Sequence, residues 1–264
     1  MTLTKIASLL SGIIQIGICL VQLFLQLEAQ IEELHVEVIA IWPHDPFSFT
    51  QGLAIDGETL YESTGLYGRS SLKQIDIQTG KVRQQRFLAK TDFGEGIALS
   101  DQKLIQLTWK EQRALVYDLK TLNLISAFSY EGEGWGLCQD GQYLLMSNGT
   151  DQIAVLNSET FQVHKQITLT KPSFYKTMLI NDIECVGSFI YANVWQKDVI
   201  LRFDKLTGDL SAIIDASGLL KPHEKVRAGP EGVLNGIAYY PSHQTFFITG
   251  KYWPWIFEVR FVSK

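Results

Sequence analysis

The residue best placed for chemistry is Glu95, a carboxylate between two glycines in Phe93-Gly94-Glu95-Gly96, fourteen residues before Trp109. The same frame recurs along the chain. Gln51 leads to Gly65, Trp135 to Gly149 and Asn181 to Trp195 at that spacing, and Asn235 leads, through an insertion, to Gly250 or Lys251. Each frame holds an apolar run, a turn and a second β-rich run, which is a hairpin. Its first and fifteenth residues fall on neighbouring strand ends, at one rim. A frame kept only for structure would carry one residue type at its first position. Here that position reads Gln51, Glu95, Trp135, Asn181, Asn235, while the adjoining Gly52, Gly96, Gly136 and Gly236 repeat. Phe49 and Phe93 each stand two residues before a first position. Differentiated residues on a repeated frame suggest a pocket for a small molecule or a chain end, with aromatic walls, amides, one carboxylate and one lysine. Singly, each has a plainer reading: Trp135 and Trp195 as channel plugs, Glu95 as a solvated loop charge, Lys251 as a surface lysine, Asn181 as a turn cap. The joint arrangement carries more weight than any member.

The elements that must position these residues are strands. Turns fall at Asp56-Gly57, Ser100-Asp101, Asp140-Gly141, Val186-Gly187 and Pro241-Ser242. After each of the first four hairpins come two more strand-like runs, around 72–77 and 81–85, 114–119 and 122–125, 153–156 and 161–163, and 199–204 and 206–210. Four strands per unit at a period of 40 to 54 residues is the pattern of propeller blades. The last unit supplies only three strands, and an isolated strand at 34–41 stands where the missing one would come from. The expectation is an all-β fold, a five-bladed β-propeller with the N-terminal strand completing the last blade, so that no sheet edge stays open. Residues 215–234, rich in Gly, Pro and charge, predict a longer loop over one rim.

With 264 residues, 46% of them hydrophobic, the chain can bury a sizeable core. Net charge is −5 and the basic residues are scattered, which argues against a nucleic-acid partner. Three cysteines give no disulfide framework, and Cys138 and Cys185, inside strand-like runs, read as small buried hydrophobes. His35, His44, His164, His223 and His243 show no metal-ligand spacing, so no metal is expected. Lys5 precedes an apolar stretch over 6–27 broken by Gln15 and Gln22. Residues 1–30 therefore read as an export signal or a membrane anchor, although the cleavage site at Leu27-Glu28-Ala29 is mediocre. The expected organisation is one catalytic domain over 31–264 in an exported, periplasmic or extracellular monomer, with membrane association through 6–27.

Seven motifs in register, Phe49-Thr50-Gln51-Gly52-Leu53, Phe93-Gly94-Glu95-Gly96, Leu107-Thr108-Trp109, Glu133-Gly134-Trp135-Gly136, Asn181-Asp182-Ile183-Glu184, Asn193-Val194-Trp195 and Thr249-Gly250-Lys251-Tyr252-Trp253, resemble the plant and bacterial type of glutaminyl-peptide cyclotransferase. The likeness runs from His44 to Phe261. It implies a five-bladed propeller that converts an N-terminal glutaminyl residue of a peptide or protein to pyroglutamyl and releases ammonia, without a cofactor. The residues suit that chemistry. The substrate's α-amine attacks its own γ-carboxamide, so holding the two in near-attack geometry does much of the work. Phe49, Phe93, Trp109, Trp135 and Trp195 would grip the side chain, and Glu95 would carry a proton from the amine to the leaving nitrogen. Lys251, with Gln51 or Asn181, would steady the oxyanion. One alternative is a propeller glycoside hydrolase pairing Glu95 with Glu133, Glu184 or Glu231. The other is a propeller binding module without catalysis.

Overall fold

The hairpins form, and three of them open separate antiparallel sheets of four strands each in sequence order. A computed structural model describes residues 31–170, 172, 175 and 177–263. β1 spans Glu32–Pro43. The first sheet holds β2 (Thr50–Asp56), β3 (Thr59–Thr64), β4 (Ser71–Asp76) and β5 (Val82–Phe87). The second holds β6 (Gly94–Ser100), β7 (Lys103–Thr108), β8 (Arg113–Asp118) and β9 (Leu124–Ser129). The third holds β10 (Leu137–Asp140), β11 (Tyr143–Ser147), β12 (Gln152–Asn157) and β13 (Val163–Thr168). The fourth run is β14 (Ile180–Val186), β15 (Phe189–Val194), β16 (Val199–Asp204) and β17 (Leu210–Asp215). After a short helix α1 (Pro222–Ala228) come β18 (Leu234–Tyr240), β19 (Thr245–Gly250) and β20 (Trp255–Ser263).

β1 pairs antiparallel with β20 along most of its length, Val36 opposite Phe261 and Trp42 opposite Ile256. Its first residues also pair parallel with β17, Glu32 opposite Ala212 and His35 opposite Asp215. That second pairing, which the sequence pattern did not suggest, fuses the last two groups into one eight-stranded sheet. The fold is all-β and propeller-like. Residues Glu32–Lys264 make one compact unit, and the N-terminal segment read as a signal or anchor lies outside the described residues. Among the described residues no helix is long and apolar enough to cross a membrane.

Burial falls from the first strand of each group to the last. β2 and β6 are almost wholly buried, while β5 and β9 are largely exposed. The first strands also lie against one another in a cycle: β2 beside β6, β6 beside β10, β10 beside β14, β14 beside β18, and β18 beside β2. The apolar core divides the same way, with one cluster between each successive pair of groups. Leu53, Leu60 and Ile75 meet Ala238, Phe247 and Ile256 to close the round. The repeating glycines allow the backbones to approach. A Cβ on Gly96 would lie 2.6 Å from the Gly136 Cα, and one on Gly136 2.3 Å from the Asn181 carbonyl oxygen. In the fourth group Asp182 stands where the others have glycine. Its Oδ2 accepts from Ile237 N at 3.0 Å and Leu53 N at 3.4 Å, tying β14 to β18 and β2 across the axis.

A second repeat fixes the turns between third and fourth strands. Asp76, Asp118, Asn157 and Asp204 each accept from the backbone N–H and the hydroxyl of a threonine three residues on, Thr79, Thr121, Thr160 and Thr207. This is a side-chain turn in which the carboxylate or amide replaces a backbone acceptor. One expectation fails. Cys138 and Cys185 are joined by a disulfide rather than packed as independent small hydrophobes. β10 and β14 are neighbours in the cycle, which brings the two Cα atoms to 5.6 Å across 47 residues of chain.

Candidate active site

The strand ends at one rim do not run straight into their sheets. Pairing slips between Thr50 and Gly52 in β2, Gly94 and Ile97 in β6, Ile180 and Ile183 in β14, and Leu234 and Ile237 in β18. An extra residue at a bulge re-aims its side chain, and Gln51, Glu95, Asn181 and Asn235 are the residues at these bulges. The far ends of the hairpins are closed by one bond each: Gly65 N to Phe49 O, Trp109 N to Phe93 O, Trp195 N to Leu179 O and Lys251 N to Val233 O. Lys251, rather than Gly250, is thus the fifteenth-position equivalent in the last hairpin. The glycines at this position make room for rings, since a Cβ on Gly149 would lie 2.6 Å from Trp135 and one on Gly65 2.3 Å from Phe93.

A cavity of about 310 Å³ opens there, lined by Phe49, Gln51, Phe93, Glu95, Trp109, Trp135, Asn181, Trp195, Glu231 and Lys251. It gathers every residue that the cyclotransferase resemblance implicates, together with Glu231, one of the three carboxylates the glycosidase alternative would pair with Glu95, from the loop after α1. The walls are interlocked rings. Phe49 meets Phe93 edge-on at 6.1 Å, Phe93 meets Trp109 at 5.5 Å, and Trp135 meets Trp195 at 6.2 Å. The Lys251 Nζ sits 4.4 Å from the centre of the Phe49 ring. The segment bearing Lys251 is lashed to the one before Phe49. Tyr252 N donates to Ser48 O at 2.7 Å, His44 N to Pro254 O at 2.9 Å, and His44 Nδ1 lies 2.7 Å from Trp253 O.

Glu95 is 4% and Lys251 5% exposed. Burial pushes the Glu95 carboxyl well above the usual carboxylate range, opposed by the Lys251 charge and a hydrogen bond from Gln51. Burial lowers Lys251, opposed by Glu95 and then Glu231. The Gln51 amide is oriented by a residue that sequence reading left without a role. Asn235 Nδ2 donates to Gln51 Oε1 at 3.1 Å and to Thr50 O at 3.0 Å, so the Gln51 amide nitrogen turns to Glu95. Glu95 Oε2 and Asn181 Oδ1 are buried and unpartnered, which leaves them for a bound molecule.

Of the carboxylates the glycosidase alternative would pair with Glu95, Glu231 shares the cavity and the other two do not line it. Glu184 lines a different cavity, with Cys138, Cys185 and Tyr239, where burial pushes it up to about 8. Glu133 accepts from two indoles behind the wall. Among the described residues no group of three or more His, Cys, Asp or Glu could hold a metal.

A family model described as glutamine cyclotransferase matches residues 13–261. The chain belongs to the glutamine cyclotransferase family. An Arabidopsis thaliana protein named glutaminyl-peptide cyclotransferase is 37% identical over 229 residues, 85% of this chain and 71% of its own length. The crystal structure of Myxococcus xanthus glutaminyl cyclase superposes with a TM-score of 0.79 at 30% identity, covering 89% of this chain and 100% of that one. Family membership decides against the glycoside hydrolase and the non-catalytic binding module.

Proposed function

We propose that this chain is a glutaminyl-peptide cyclotransferase, built as a five-bladed propeller whose last blade is completed by β1. It closes an N-terminal glutaminyl residue of a peptide or protein to pyroglutamyl and releases ammonia. The cycle of five first strands and the five clusters between groups support the blade count. The observation that carries the activity is the single cavity in which a buried carboxyl and a buried amine face aromatic walls.

In this reading the rings grip the glutamine side chain and exclude water, folding the α-amine toward the γ-carbon. As the C–N bond forms, the γ-oxygen gains negative charge and the amine nitrogen becomes acidic. Lys251 donates to that oxygen. Glu95, which burial inclines toward its protonated form, gives a proton to the departing nitrogen and takes one from the new ring nitrogen, so the carboxyl ends as it began. Gln51 holds Glu95, with Asn235 holding Gln51. Asn181 Oδ1 accepts from the substrate amine before attack. The steps need no metal and no cofactor. The disulfide suits an oxidising compartment, which supports export, and the stretch over 6–27 would serve as signal or anchor. We read the protein as a monomer.

Ring size supplies the test. Peptides beginning with Gln should cyclise. Those beginning with Asn should not, because a four-membered product is strained, and Glu-initiated peptides should react far more slowly because a carboxylate resists attack. Comparable rates on all three would remove the mechanism.

A further inference from the structure

We propose that Glu133 is a positioning residue that sets the width of the side-chain slot, and with it the preference for an unsubstituted γ-carboxamide. This deepens the glutaminyl reading above and rests on it. Glu133 is not part of the lining; its side chain is 39% exposed and lines a neighbouring hollow. One of its oxygens, Oε2, accepts from the Trp109 indole at 2.7 Å and from the Trp135 indole at 3.0 Å. The other, Oε1, faces Lys110 Nζ at 3.7 Å, and that ammonium sits 3.9 Å from the centre of the Trp109 ring. The two indoles come from different sheets and head different aromatic sets. Trp109 continues through Phe93 to Phe49, and Trp135 continues to Trp195. A single carboxylate oxygen therefore joins the two halves of the wall.

An indole N–H is a donor only, so each ring is aimed by whatever accepts from it. Hydrogen bonds to an ionised acceptor are stronger and shorter than neutral ones. Removing the acceptor frees both rings to turn about their side-chain torsions, and the slot between them loosens. The backbone around Glu133 is fastened independently, since Gly134 N donates to Trp109 O at 3.2 Å and Trp135 N to Ser147 O at 3.0 Å. Loss of the side chain should thus disturb the wall without undoing the strand ends.

The consequence is selective. A loose slot binds the glutamine side chain less well and rejects a bulkier amide less sharply, while the groups that move protons stay in place. The experiment compares wild type, Glu133→Ala and Glu133→Gln on two peptides, one beginning with Gln and one with γ-N-methylglutamine. Glu133→Ala is expected to raise KM for the Gln peptide about tenfold, in keeping with losing charge-assisted hydrogen bonds. Its kcat should stay within about threefold of wild type, the signature of lost uniform binding. The preference for Gln over the methylated analogue should shrink about tenfold with it. Glu133→Gln, which keeps an acceptor oxygen, should recover most of both. Unchanged KM and preference in Glu133→Ala overturn the proposal, as does a loss confined to kcat. Should Glu133→Ala fail to fold by circular dichroism, Glu133→Asp keeps the charge but falls one methylene short of the indoles, and wild-type behaviour from it overturns the proposal. A wild-type protein that cyclises neither peptide removes the glutaminyl reading itself, and this one with it.

Discussion

In the proposed mechanism the chemistry turns on Glu95, and its surroundings say how a substitution should behave. Burial disfavours its charge, Lys251 and Gln51 favour it, and one oxygen is left unpartnered. Glu95→Gln keeps the shape and can still hydrogen-bond, but it cannot carry a proton between two nitrogens. General acid–base catalysis contributes about 10²–10⁴-fold, so kcat should fall by about that factor with KM little changed. Trp195→Ala is the contrasting variant, expected to raise KM more than it lowers kcat because it removes wall. Steady-state kinetics on a Gln-initiated peptide checks both, with circular dichroism as the folding control; a folded Glu95→Gln protein within a few-fold of wild-type kcat would take Glu95 out of the mechanism. The cavity lining was legible in the sequence because the frame recurs from hairpin to hairpin and its first and fifteenth residues must share a rim. The residues behind the lining were not. Asn235 acts on Gln51 across 184 positions, and Glu133 joins two indoles from different hairpins. No local spacing records such bonds. Glu231 reaches the cavity from a loop without periodicity.

The elements hold the cavity through a buried ionic knot under the first hairpin. On β3, Glu62 is fully buried and meets His44 at 2.9 Å, Thr50 at 2.7 Å, Ser48 at 3.2 Å and Lys73 at 3.2 Å. Two of these partners, Ser48 and Thr50, flank Phe49, and Thr50 precedes Gln51. Burial by itself would raise the Glu62 carboxyl, but His44 and then Lys73 and Thr50 bring it down to about 2. Because its folded value lies below the ordinary 4.5, Glu62 contributes stability above that pH and loses it as pH falls toward about 2. Glu62→Gln should therefore destabilise by about 3–5 kcal/mol near neutrality, as when one partner of a buried pair is removed. The penalty should shrink below about pH 4, where the wild-type protein loses the same contribution; thermal melts across that range test it, and a penalty independent of pH would contradict the assignment. β1 makes a separate prediction. Deleting residues 1–30 should leave a soluble, active protein, whereas deleting 1–42 strips the partner from β20 and β17 and should cost solubility and cooperative unfolding. Equal behaviour of the two deletions would mean that β1 closes nothing. The antiparallel partner of β1 was readable from the three-stranded last unit, whereas its parallel pairing with β17 depends on how neighbouring groups are splayed. The bulges were marked in sequence only by glycines beside the rim residues, and the Asp/Asn-to-Thr turns repeated in plain sight. The Cys138–Cys185 link was hidden because the two strands become neighbours only once the cycle closes.

For the molecule as a whole, the cycle of first strands does two things at once. It buries a core between every two successive groups, and it brings one differentiated residue from each hairpin to a common mouth. All-β class and repeat order follow from turn spacing and strand alternation, which are local. The axis itself, where Asp182 replaces glycine and ties three strands, depends on contacts that only the closed ring creates. If this mouth drives attack of a peptide's own α-amine on its γ-carboxamide, the γ-amide nitrogen must leave as ammonia. The most direct measurement gives the purified protein a Gln-initiated peptide labelled with nitrogen-15 at the γ-amide, and follows peptide and ammonia by mass spectrometry. The expected products are labelled ammonia and a peptide lighter by one ammonia, with its α-nitrogen closed into the ring. A glutamyl product formed by hydrolysis, or a peptide left unchanged, would contradict this chemistry.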